Sequence, residues 1–344
     1  VPFVAGTTYE WFIPGTINVQ FGGGINDNFA VLEFPNTGTQ DIQVLPTNNF
    51  GCASDTQSTS IEVYGFPVAD AGNDADLCSG DTAILGGAPT ATGGSGFYNY
   101  SWAPTSGLDD ASVSNPLATP TFSRTYFLTV TDSIAGCASE LDTVDVNVNP
   151  SPASTLLGLT PFICEEDTGI LQIFFGVGTG PFAVEISDGV DTTMYPNLSN
   201  GDSILVTPDS TLTYSVISLL DSATLCTGTS FSGNPIINVR PLPTASLTTL
   251  DSVICEGDAA NLNLNVSGPT PQIYTVEYAS NGFDTTTVNL SGSSTVITVF
   301  PDSSTEYTLI SVTDNFRGCV VNAPSARLTD SVFVQVDSLP RGVL

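Results

Sequence analysis

Basic residues are nearly absent from this sequence. Its 344 residues include 35 acidic side chains but only five basic ones, all arginine, and the net charge is −30. Binding to nucleic acid depends on clustered lysine and arginine that neutralise phosphates, and an anionic membrane surface repels a chain of this charge. The sequence therefore predicts no nucleic-acid partner. It also predicts no direct insertion into a membrane, because no run of about 18 apolar residues is present.

The absence of lysine and histidine also removes most kinds of catalytic site. Without them the chain cannot build a Ser-His-Asp triad, a Schiff base or a histidine zinc site. Catalysis by carboxylates alone would need two acids that converge in a cleft, and the adjacent pairs Glu165–Glu166 and Asp109–Asp110 are the candidates. Adjacent acids in a loop are typical of solvated surface. We therefore predict that the chain is not an enzyme and has no catalytic residue.

Six of the seven cysteines stand in two recurring phrases. One, here called the Cys phrase, reads ADLCSGDTAILGG, PFICEEDTGILQI and SVICEGDAANLNL, and its cysteines are Cys78, Cys164 and Cys255. The other, the Tyr phrase, has a tyrosine 11 or 12 residues before its cysteine, and its cysteines are Cys137, Cys226 and Cys319. An alternating strand and a proline follow each Tyr phrase. Recurrence at a fixed period is typical of tandem repeats.

The separations between the phrases predict one disulfide in each repeat. They are 59, 62 and 64 residues (137 − 78, 226 − 164 and 319 − 255), and so favour the pairs Cys78–Cys137, Cys164–Cys226 and Cys255–Cys319. The alternative is free buried cysteine, which packs as a small hydrophobic residue. A metal site is disfavoured because the chain has no histidine and no C-x-x-C.

The seventh cysteine, Cys52, ends a segment that resembles the Tyr phrase, and the letters YEW before it match YSW of the next repeat. Residues 1–66 are therefore interpreted as the back of another repeat in a mature or partial chain. The partner of Cys52 is expected roughly a dozen residues before Val1, and within this chain Cys52 is predicted to be unpaired. The predicted domains are 1–66 (partial), 67–149, 150–241 and 242–344, the last with a C-terminal linker.

The strands are predicted from period-2 patterns such as Leu262, Leu264 and Val266, which alternate with asparagines. This alternation indicates antiparallel sheets with one buried face. No segment shows an amphipathic helix. Repeats of this length with about seven short strands favour an all-β chain of tandem immunoglobulin-like β-sandwich domains. Trp102 is expected in the core of its repeat, and the tyrosines of the Tyr phrase are expected at anchored positions.

The segment from DAGNDADLCSGD to SRTYFLTVTDSIAGC resembles PKD-like and immunoglobulin-like repeats of very large surface proteins of Bacteroidota. The resemblance is closest over 67–149, weaker over 242–337, and loosest over 1–66 and 150–241. It departs from the PKD pattern because no WDFGDG-like phrase is present, and the chain contains no C-terminal sorting domain. Proteins of this family are exported by type IX secretion and include gliding-motility adhesins, so the resemblance implies an extracellular, cell-surface location.

Calcium is the one ion for which the sequence offers ligands. Oxygen-rich linkers bind calcium in some multi-domain rods, and the segment DAGNDADLC supplies four candidate residues: Asp70, Asn73, Asp74 and Asp76. Turn-forming Asp and Asn explain the same letters. No cofactor is required by any motif.

Asp-Ser and Asp-Thr dipeptides followed by Ala, Ile, Leu, Val or Thr resemble the O-glycosylation acceptor motif of Bacteroidota secreted proteins. The hydroxyls concerned are Thr82, Ser133, Thr143, Thr192, Ser203, Ser210, Ser222, Ser252, Thr285, Ser331 and Ser338. A bulky neutral sugar coat would protect an extended surface rod. Asp-Ser/Thr is equally typical of a turn that leads into a strand.

Three functions follow as hypotheses. The first is an extracellular adhesin or surface-filament segment, a disulfide-stapled spacer that projects a binding region toward an external surface or polysaccharide. The second is a structural protein that assembles with copies of itself, or through neighbouring repeats, into a fibre or sheath. The third is a non-catalytic glycan-binding module of a secreted enzyme, which would use the aromatic side chains of Phe97, Tyr98 and Tyr100.

Overall fold

The computed structural model describes residues 2, 4–13, 18–21, 28–329 and 331–338. All regular elements in these ranges are β-strands, which confirms the all-β prediction. Contacts divide the chain into two units, Val1–Pro150 and Ser151–Leu344. Across the described ranges no helix is long and apolar enough to cross a membrane.

The described part of residues 1–66 contains an antiparallel sheet with strand order β1-β4-β5 and a separate β2-β3 pair. Tyr9, Ile42 and Val44 are buried among the described residues of this segment. The strands are β1 (Thr7–Phe12), β2 (Asn18–Phe21), β3 (Ala30–Glu33), β4 (Gly38–Asn48) and β5 (Gln57–Val63).

In the predicted second repeat, residues 67–149, the main sheet has the order β10-β12-β13-β7 and lies across the core from the β6-β9 and β8-β11 pairs. Its strands are β6 (Pro67–Ala69), β7 (Ala75–Cys78), β8 (Ala83–Ile84), β9 (Ala91–Gly93), β10 (Tyr98–Ala103), β11 (Leu117–Ala118), β12 (Arg124–Asp132) and β13 (Asp142–Asn149).

The predicted third repeat, residues 150–241, has one sheet of order β19-β16-β14-β22 and a second layer made by β15-β23-β20 and β18-β17-β21. Its strands are β14 (Ala153–Gly158), β15 (Phe162–Cys164), β16 (Gly169–Phe175), β17 (Phe182–Ser187), β18 (Thr192–Leu198), β19 (Ser203–Val206), β20 (Leu212–Thr213), β21 (Ser215–Asp221), β22 (Ser230–Ser232) and β23 (Ile236–Arg240).

The fourth repeat, which begins at residue 242, packs the sheet β29-β26-β24-β32 on the sheet β25-β33-β30-β27-β28, with β31 paired to β30. Its strands are β24 (Thr244–Thr249), β25 (Val253–Cys255), β26 (Ala260–Ser267), β27 (Ile273–Ser280), β28 (Asp284–Ser291), β29 (Ser294–Val299), β30 (Thr305–Asp314), β31 (Cys319–Asn322), β32 (Leu328–Thr329) and β33 (Ser331–Asp337).

The period-2 patterns become the inner faces of these sheets. On β26, Leu262, Leu264 and Val266 are buried while Asn265 between them is exposed. Burying one such aliphatic side chain contributes about 1.5–3 kcal/mol, so a one-residue slip of the strand would lose several times that amount. Two packed layers of short, mostly antiparallel strands are the architecture of immunoglobulin-like sandwiches.

The aromatic residues that the sequence places in the cores are buried. Trp102 is 2 % exposed, and its Nε1–H donates to the carbonyl of Val113 (3.0 Å). Tyr126 is fully buried and its hydroxyl donates to the carbonyl of Ser106 (3.0 Å); Tyr214 and Tyr307 are buried as well. Each of the three hydrophobic cores lies inside one predicted domain, while the four-domain division itself stays a prediction.

Candidate functional site

The two phrase cysteines of one repeat lie at opposite ends of its sandwich. In the fourth repeat, Cys255 lies beside Asp337, where the last strand ends. We call this end the C-terminal pole. Cys319 lies beside Asp314 at the other end, the N-terminal pole. The register places Val334 opposite Thr305. From there, Asp337 beside Cys255 lies three residues away along β33, and Asp314 beside Cys319 lies nine residues away in the opposite direction along β30. The two cysteines are therefore about 40 Å apart at 3.3 Å per residue.

This separation excludes a disulfide within the repeat, because bonded cysteines have Cα atoms within about 7 Å. The structure instead joins Cys164 of the third repeat to Cys319 of the fourth, with a Cα–Cα distance of 5.7 Å and 155 residues between them. The bond links the C-terminal pole of one repeat to the N-terminal pole of the next.

The three predicted disulfides are therefore wrong. Cys164–Cys226 and Cys255–Cys319 are excluded by the Cys164–Cys319 bond, and Cys78–Cys137 is excluded because Cys137 is a free thiol. Cys78 and Cys226 are disulfide-bonded, whereas Cys255 is free and exposed. Cys52 is also a free, exposed thiol, as expected for this chain. The constant spacing of the cysteines predicts the period of the repeats. It does not determine whether two bonded cysteines lie in the same repeat or in adjacent repeats.

The Cys phrase forms a closed turn at the end of a short strand. β15 runs parallel to β23 and brings Cys164 beside Arg240. The backbone N–H of Cys164 donates to Asp167 Oδ2 (3.3 Å), and the N–H of Asp167 donates back to the Cys164 carbonyl (3.1 Å). Glu166, inside the turn, has φ = +71°, a conformation that favours glycine. The turn fixes Cys164 at the pole of the third repeat.

The Tyr phrase ends in a loop built around a buried aspartate. In the fourth repeat, Asp314 is fully buried, and its Oδ1 accepts the backbone N–H groups of Phe316 and Arg317 (both 3.0 Å). Its carbonyl accepts the N–H of Gly318 (2.7 Å). Arg317 Nη1 also donates to Asp314 Oδ2 (3.0 Å). This loop carries Cys319 to the bond.

The same loop recurs around Asp132 and Asp221, which are also fully buried. A hydrogen bond from the backbone N–H of Ala135, with others from Ser95 and Ile134, lowers the pKa of Asp132 to about 2. Burial raises the pKa of Asp221, but backbone donors including Thr179 outweigh it, so the pKa lies below the ordinary value. Hydrogen bonds to the ionised form hold these carboxylates charged inside the protein.

Sequence reasoning missed this aspartate, although a signal was present. It stands five residues before the cysteine in each Tyr phrase (137 − 132, 226 − 221 and 319 − 314). Glycine allows a neighbouring segment to approach it, because a Cβ at Gly178 would lie 2.8 Å from Asp221 Oδ2. In residues 1–66, Asn48 takes its place, and its side-chain oxygen accepts the N–H groups of Phe50 and Cys52 (both 3.0 Å).

Arginines surround the Cys164–Cys319 bond. Arg327 of the fourth repeat forms ion pairs with Glu165 (2.9 Å) and Glu166 (3.3 Å) of the third. Arg240 Nη1 of the third repeat donates to the carbonyl of Arg317 in the fourth (2.6 Å). Three of the five arginines of a chain with net charge −30 therefore meet at one junction. We call the disulfide together with these contacts the clasp.

The linker between the two repeats is held to the clasp. Only Pro241, Leu242 and Pro243 separate β23 from β24, and proline-rich linkers are semi-rigid. The N–H of Leu242 donates to Glu165 Oε2 (3.3 Å). The repeats are thus joined through the main chain and, separately, through the disulfide, which together oppose hinge bending and rotation about the linker.

Both adjacent acid pairs make ion pairs or hydrogen bonds within the structure. Glu165 and Glu166 belong to the clasp. Asp109 Oδ1 accepts the N–H groups of Asp110 and Leu117 (both 2.8 Å), and Asp110 Oδ1 accepts both the N–H and the hydroxyl of Ser112. These bonds shape a loop of the predicted second repeat.

The four calcium candidates are not gathered into one cluster. Asp70 Oδ1 accepts the N–H of Gly72 (3.0 Å), and Asp74 Oδ1 accepts the N–H of Asp145 on β13 (2.8 Å). Within the residues that the structure describes, no three acidic or cysteine side chains form a group that could hold a metal. Calcium ligation by Asp70, Asn73, Asp74 and Asp76 stays a prediction.

The other two sets of candidates differ in exposure. All eleven hydroxyl residues of the Asp-Ser/Thr motifs are exposed: Thr82, Ser133, Thr143, Thr192, Ser203, Ser210, Ser222, Ser252, Thr285, Ser331 and Ser338. The proposed glycan-binding aromatics do not share a face. Phe97 is 64 % exposed, whereas Tyr98 and Tyr100 are half-buried and pack against the core of the second repeat.

Comparison with known proteins gives a fold likeness only. No protein-family model and no curated protein matches the chain. The titin I-band fragment I67-I69 has a TM-score of 0.40 and 10 % identity, over 80 % of this chain and 99 % of its own. The extracellular cadherin domains 1-4 of protocadherin gamma B7 have a TM-score of 0.33 and 13 % identity, over 96 % and 92 %.

The N-terminal eight Ig domains of Down Syndrome Cell Adhesion Molecule have a TM-score of 0.30 and 10 % identity, over 96 % of this chain and 53 % of their own. Because these TM-scores are low, the assignment of the fold rests on the sheets and cores described above.

Proposed function

We propose that this chain is a segment of an extracellular rod, in which clasped β-sandwich repeats act as a spacer that holds a binding region away from the cell. The observation that carries the proposal is the Cys164–Cys319 bond between consecutive repeats. A disulfide inside a domain stabilises that domain, whereas a bond between domains fixes their mutual orientation. Such a bond has a use where the geometry of the whole array matters.

Compartment and charge support this role. Disulfides persist in oxidising, extracellular environments, and four cysteines of the chain are bonded. A net charge of −30 keeps an extended molecule soluble and makes it repel its own copies. The resemblance to repeats of Bacteroidota surface proteins supports export by type IX secretion and an adhesin as the parent protein. The scarcity of basic side chains and the structural use of both acid pairs support a non-catalytic segment.

Mechanical unfolding of single molecules tests the spacer role. Force applied along the chain reaches the two termini of the clasped segment but cannot extend the 155 residues between Cys164 and Cys319. Because Cys78 and Cys226 are also disulfide-bonded, the measurement uses a variant in which both are changed to serine. In that variant we expect reduction with dithiothreitol to release an additional contour length of about 500–560 Å, at 3.3–3.6 Å per residue. Equal contour lengths before and after reduction would contradict a clasped rod.

Electron microscopy of native material separates the rod from the fibre hypothesis. A spacer predicts isolated, stiff particles whose length grows with the number of repeats. A self-assembling sheath predicts ordered polymers with lateral contacts between chains. Polymers would overturn the spacer proposal and favour pairing of exposed edge strands.

We also propose that the rod carries O-linked sugars at Asp-Ser/Thr motifs. The support is the exposure of every one of the eleven hydroxyl residues, since an acceptor must reach a transferase. Intact-mass measurement of native protein covering these residues tests the idea. We expect a mass excess that peptide mapping assigns to these hydroxyls, whereas the unmodified 35.7 kDa for this segment would contradict it.

A further inference from the structure

The cysteines of all three full repeats occupy the same two places. The C-terminal pole carries the Cys-phrase cysteine, beside the last residues of the final strand: Cys78 beside Asn149, Cys164 beside Arg240 and Cys255 beside Asp337. The N-terminal pole carries the Tyr-phrase cysteine, on the loop that follows the buried aspartate: Cys137, Cys226 and Cys319.

The Cys164–Cys319 bond gives the pairing rule that fits these positions. A C-terminal-pole cysteine bonds the N-terminal-pole cysteine of the following repeat. Cys78 and Cys226 occupy these two kinds of position, and both are disulfide-bonded. The three free thiols are Cys52 and Cys137, which are of the N-terminal-pole kind, and Cys255, which is of the C-terminal-pole kind.

We propose that Cys255 is a cross-linking site for a following repeat of the same kind, and that Cys137 is one for a preceding repeat. The partner of Cys255 is a cysteine that closes a Tyr phrase, and the partner of Cys137 is one that opens a Cys phrase. The clasp between the third and fourth repeats is then one link of a series that continues beyond the fourth repeat.

The loops at the two free thiols have the same backbone hydrogen bonds as the loops at the bonded cysteines. At Cys255, the Asp258 N–H donates to the Cys255 carbonyl (3.0 Å), and the Glu256 N–H donates to the backbone carbonyl of Asp337 (2.9 Å). The turn at Cys164 has the same two bonds. At Cys137, Asp132 N–H donates to the Cys137 carbonyl (2.8 Å), as Asp221 N–H does to Cys226 (2.9 Å). Each loop is therefore held by its own hydrogen bonds while its thiol is free.

The sequence after the last strand supports a following repeat. The letters LPRGVL at 339–344 match LPTASL at 242–247 in their first, second and last residues. In the fourth repeat those letters lead into its first strand, β24.

Bond formation is a two-electron oxidation. The thiolate of Cys255 attacks one sulfur of an oxidant disulfide, carried by a thiol–disulfide oxidoreductase or by oxidised glutathione, and forms a mixed disulfide. The thiolate of the neighbouring repeat then attacks Cys255 Sγ and displaces the oxidant sulfur. The two cysteines lose two protons and two electrons, and the oxidant disulfide gains them and leaves as two thiols.

The test extends the chain by one repeat. Residues 248–338 are appended after Leu344, so that LPRGVL takes the place of LPTASL, and the appended copy carries Cys255→Ser. The protein is refolded in a glutathione redox buffer and its free thiols are counted. The eight cysteines are expected to leave two free thiols, Cys52 and Cys137, because the appended Cys319 bonds the original Cys255. Four free thiols, or disulfide-linked dimers through Cys255, would overturn the proposal.

A matched control carries Cys255→Ser in the original repeat as well, and it is expected to leave three free thiols. Native protein provides a second measurement that does not depend on folding of the extended chain. A digest of the non-reduced native protein should contain the Cys255 peptide linked to a Tyr-phrase peptide, whereas alkylation of Cys255 as a free thiol would contradict the inference. The spacer role is tested separately by the contour length above, because in the variant that lacks Cys78 and Cys226 the release depends on Cys164–Cys319 alone.

Discussion

The loop that carries Cys137 and the loop that carries Cys319 are built alike, yet only the second is bonded in this chain. Both wrap backbone N–H groups around a buried aspartate, Asp132 in one and Asp314 in the other. They differ in the second oxygen of that aspartate, which accepts from Ser95 in the first and from Arg317 in the second. Because the two loops share this geometry, we infer that each repeat folds its own cysteine loop and that the disulfide is a separate link between repeats.

The largest effect is expected from removing the link itself. The double change Cys164→Ser and Cys319→Ser opens a loop of 155 residues, for which the chain-entropy model gives at most about 5 kcal/mol. We expect lower thermal stability and a broader distribution of particle shapes in small-angle scattering, with both sandwiches still folded. Cys52→Ser is the control, because that thiol is free and exposed. Identical melting and scattering profiles would show that the clasp does not couple the repeats.

Removing the centre of the bonded loop is expected to cost somewhat less. Asp314→Ala leaves two backbone N–H donors and the Arg317 guanidinium without their acceptor in a buried site, a loss of about 3 kcal/mol or more. Differential scanning calorimetry should show a lower transition temperature and thiol counting a lower yield of Cys164–Cys319. Asp302→Ala, at an exposed position, should change neither, and an equally stable Asp314→Ala protein would contradict the role assigned to the loop.

Acid titration tests the loop that carries the free thiol Cys137. The folded pKa of Asp132 is about 2, below the unfolded value of about 3.9. Its stabilisation is therefore fully present above about pH 4 and is lost as the pH falls through 2. Asp132→Asn keeps an acceptor, as Asn48 does in residues 1–66, but not the charge. The melting temperatures of the two proteins should differ at pH 6 and converge near pH 2. A constant difference would contradict the lowered pKa.

The ion pairs of the clasp are expected to contribute least. Arg327 and Glu165 are about one-third exposed and Glu166 is mostly exposed, so Arg327→Gln should cost about 0.5–1 kcal/mol. The effect should shrink in 1 M salt because exposed charges are screened. Glu166→Gln is the weaker comparison and should be nearly neutral. If Arg327→Gln lowered the stability by more than Asp314→Ala does, and by the same amount in high salt, the ion pairs would contribute more than the buried aspartate, which would contradict this ranking.

The sequence predicted the strands, repeats and cores because these follow from local alternation and from a period. The alternation of Leu262, Leu264 and Val266 predicts a half-buried strand without reference to any other segment. The tyrosines of the Tyr phrase and Trp102 are predicted to lie in the cores for a similar reason, because large aromatic residues in alternating strands are typically buried.

The pairing of the cysteines could not be read in the same way. Every separation between equivalent residues in a repeat array is nearly constant, so 62 residues from Cys164 to Cys226 and 155 from Cys164 to Cys319 are equally regular. The choice depends on which pole of the sandwich each cysteine occupies. That position is set by the parallel pairing of β15 with β23, a contact between segments about 75 residues apart.

Disulfide mapping of the isolated 344-residue chain, oxidised without further repeats, tests the central claim most directly. A digest under non-reducing conditions, with free thiols alkylated beforehand, should give the Cys164 peptide covalently joined to the Cys319 peptide and alkylated peptides for Cys52, Cys137 and Cys255. Linked peptides for Cys164–Cys226 and Cys255–Cys319 would show that each repeat closes its own disulfide, and would contradict the clasp.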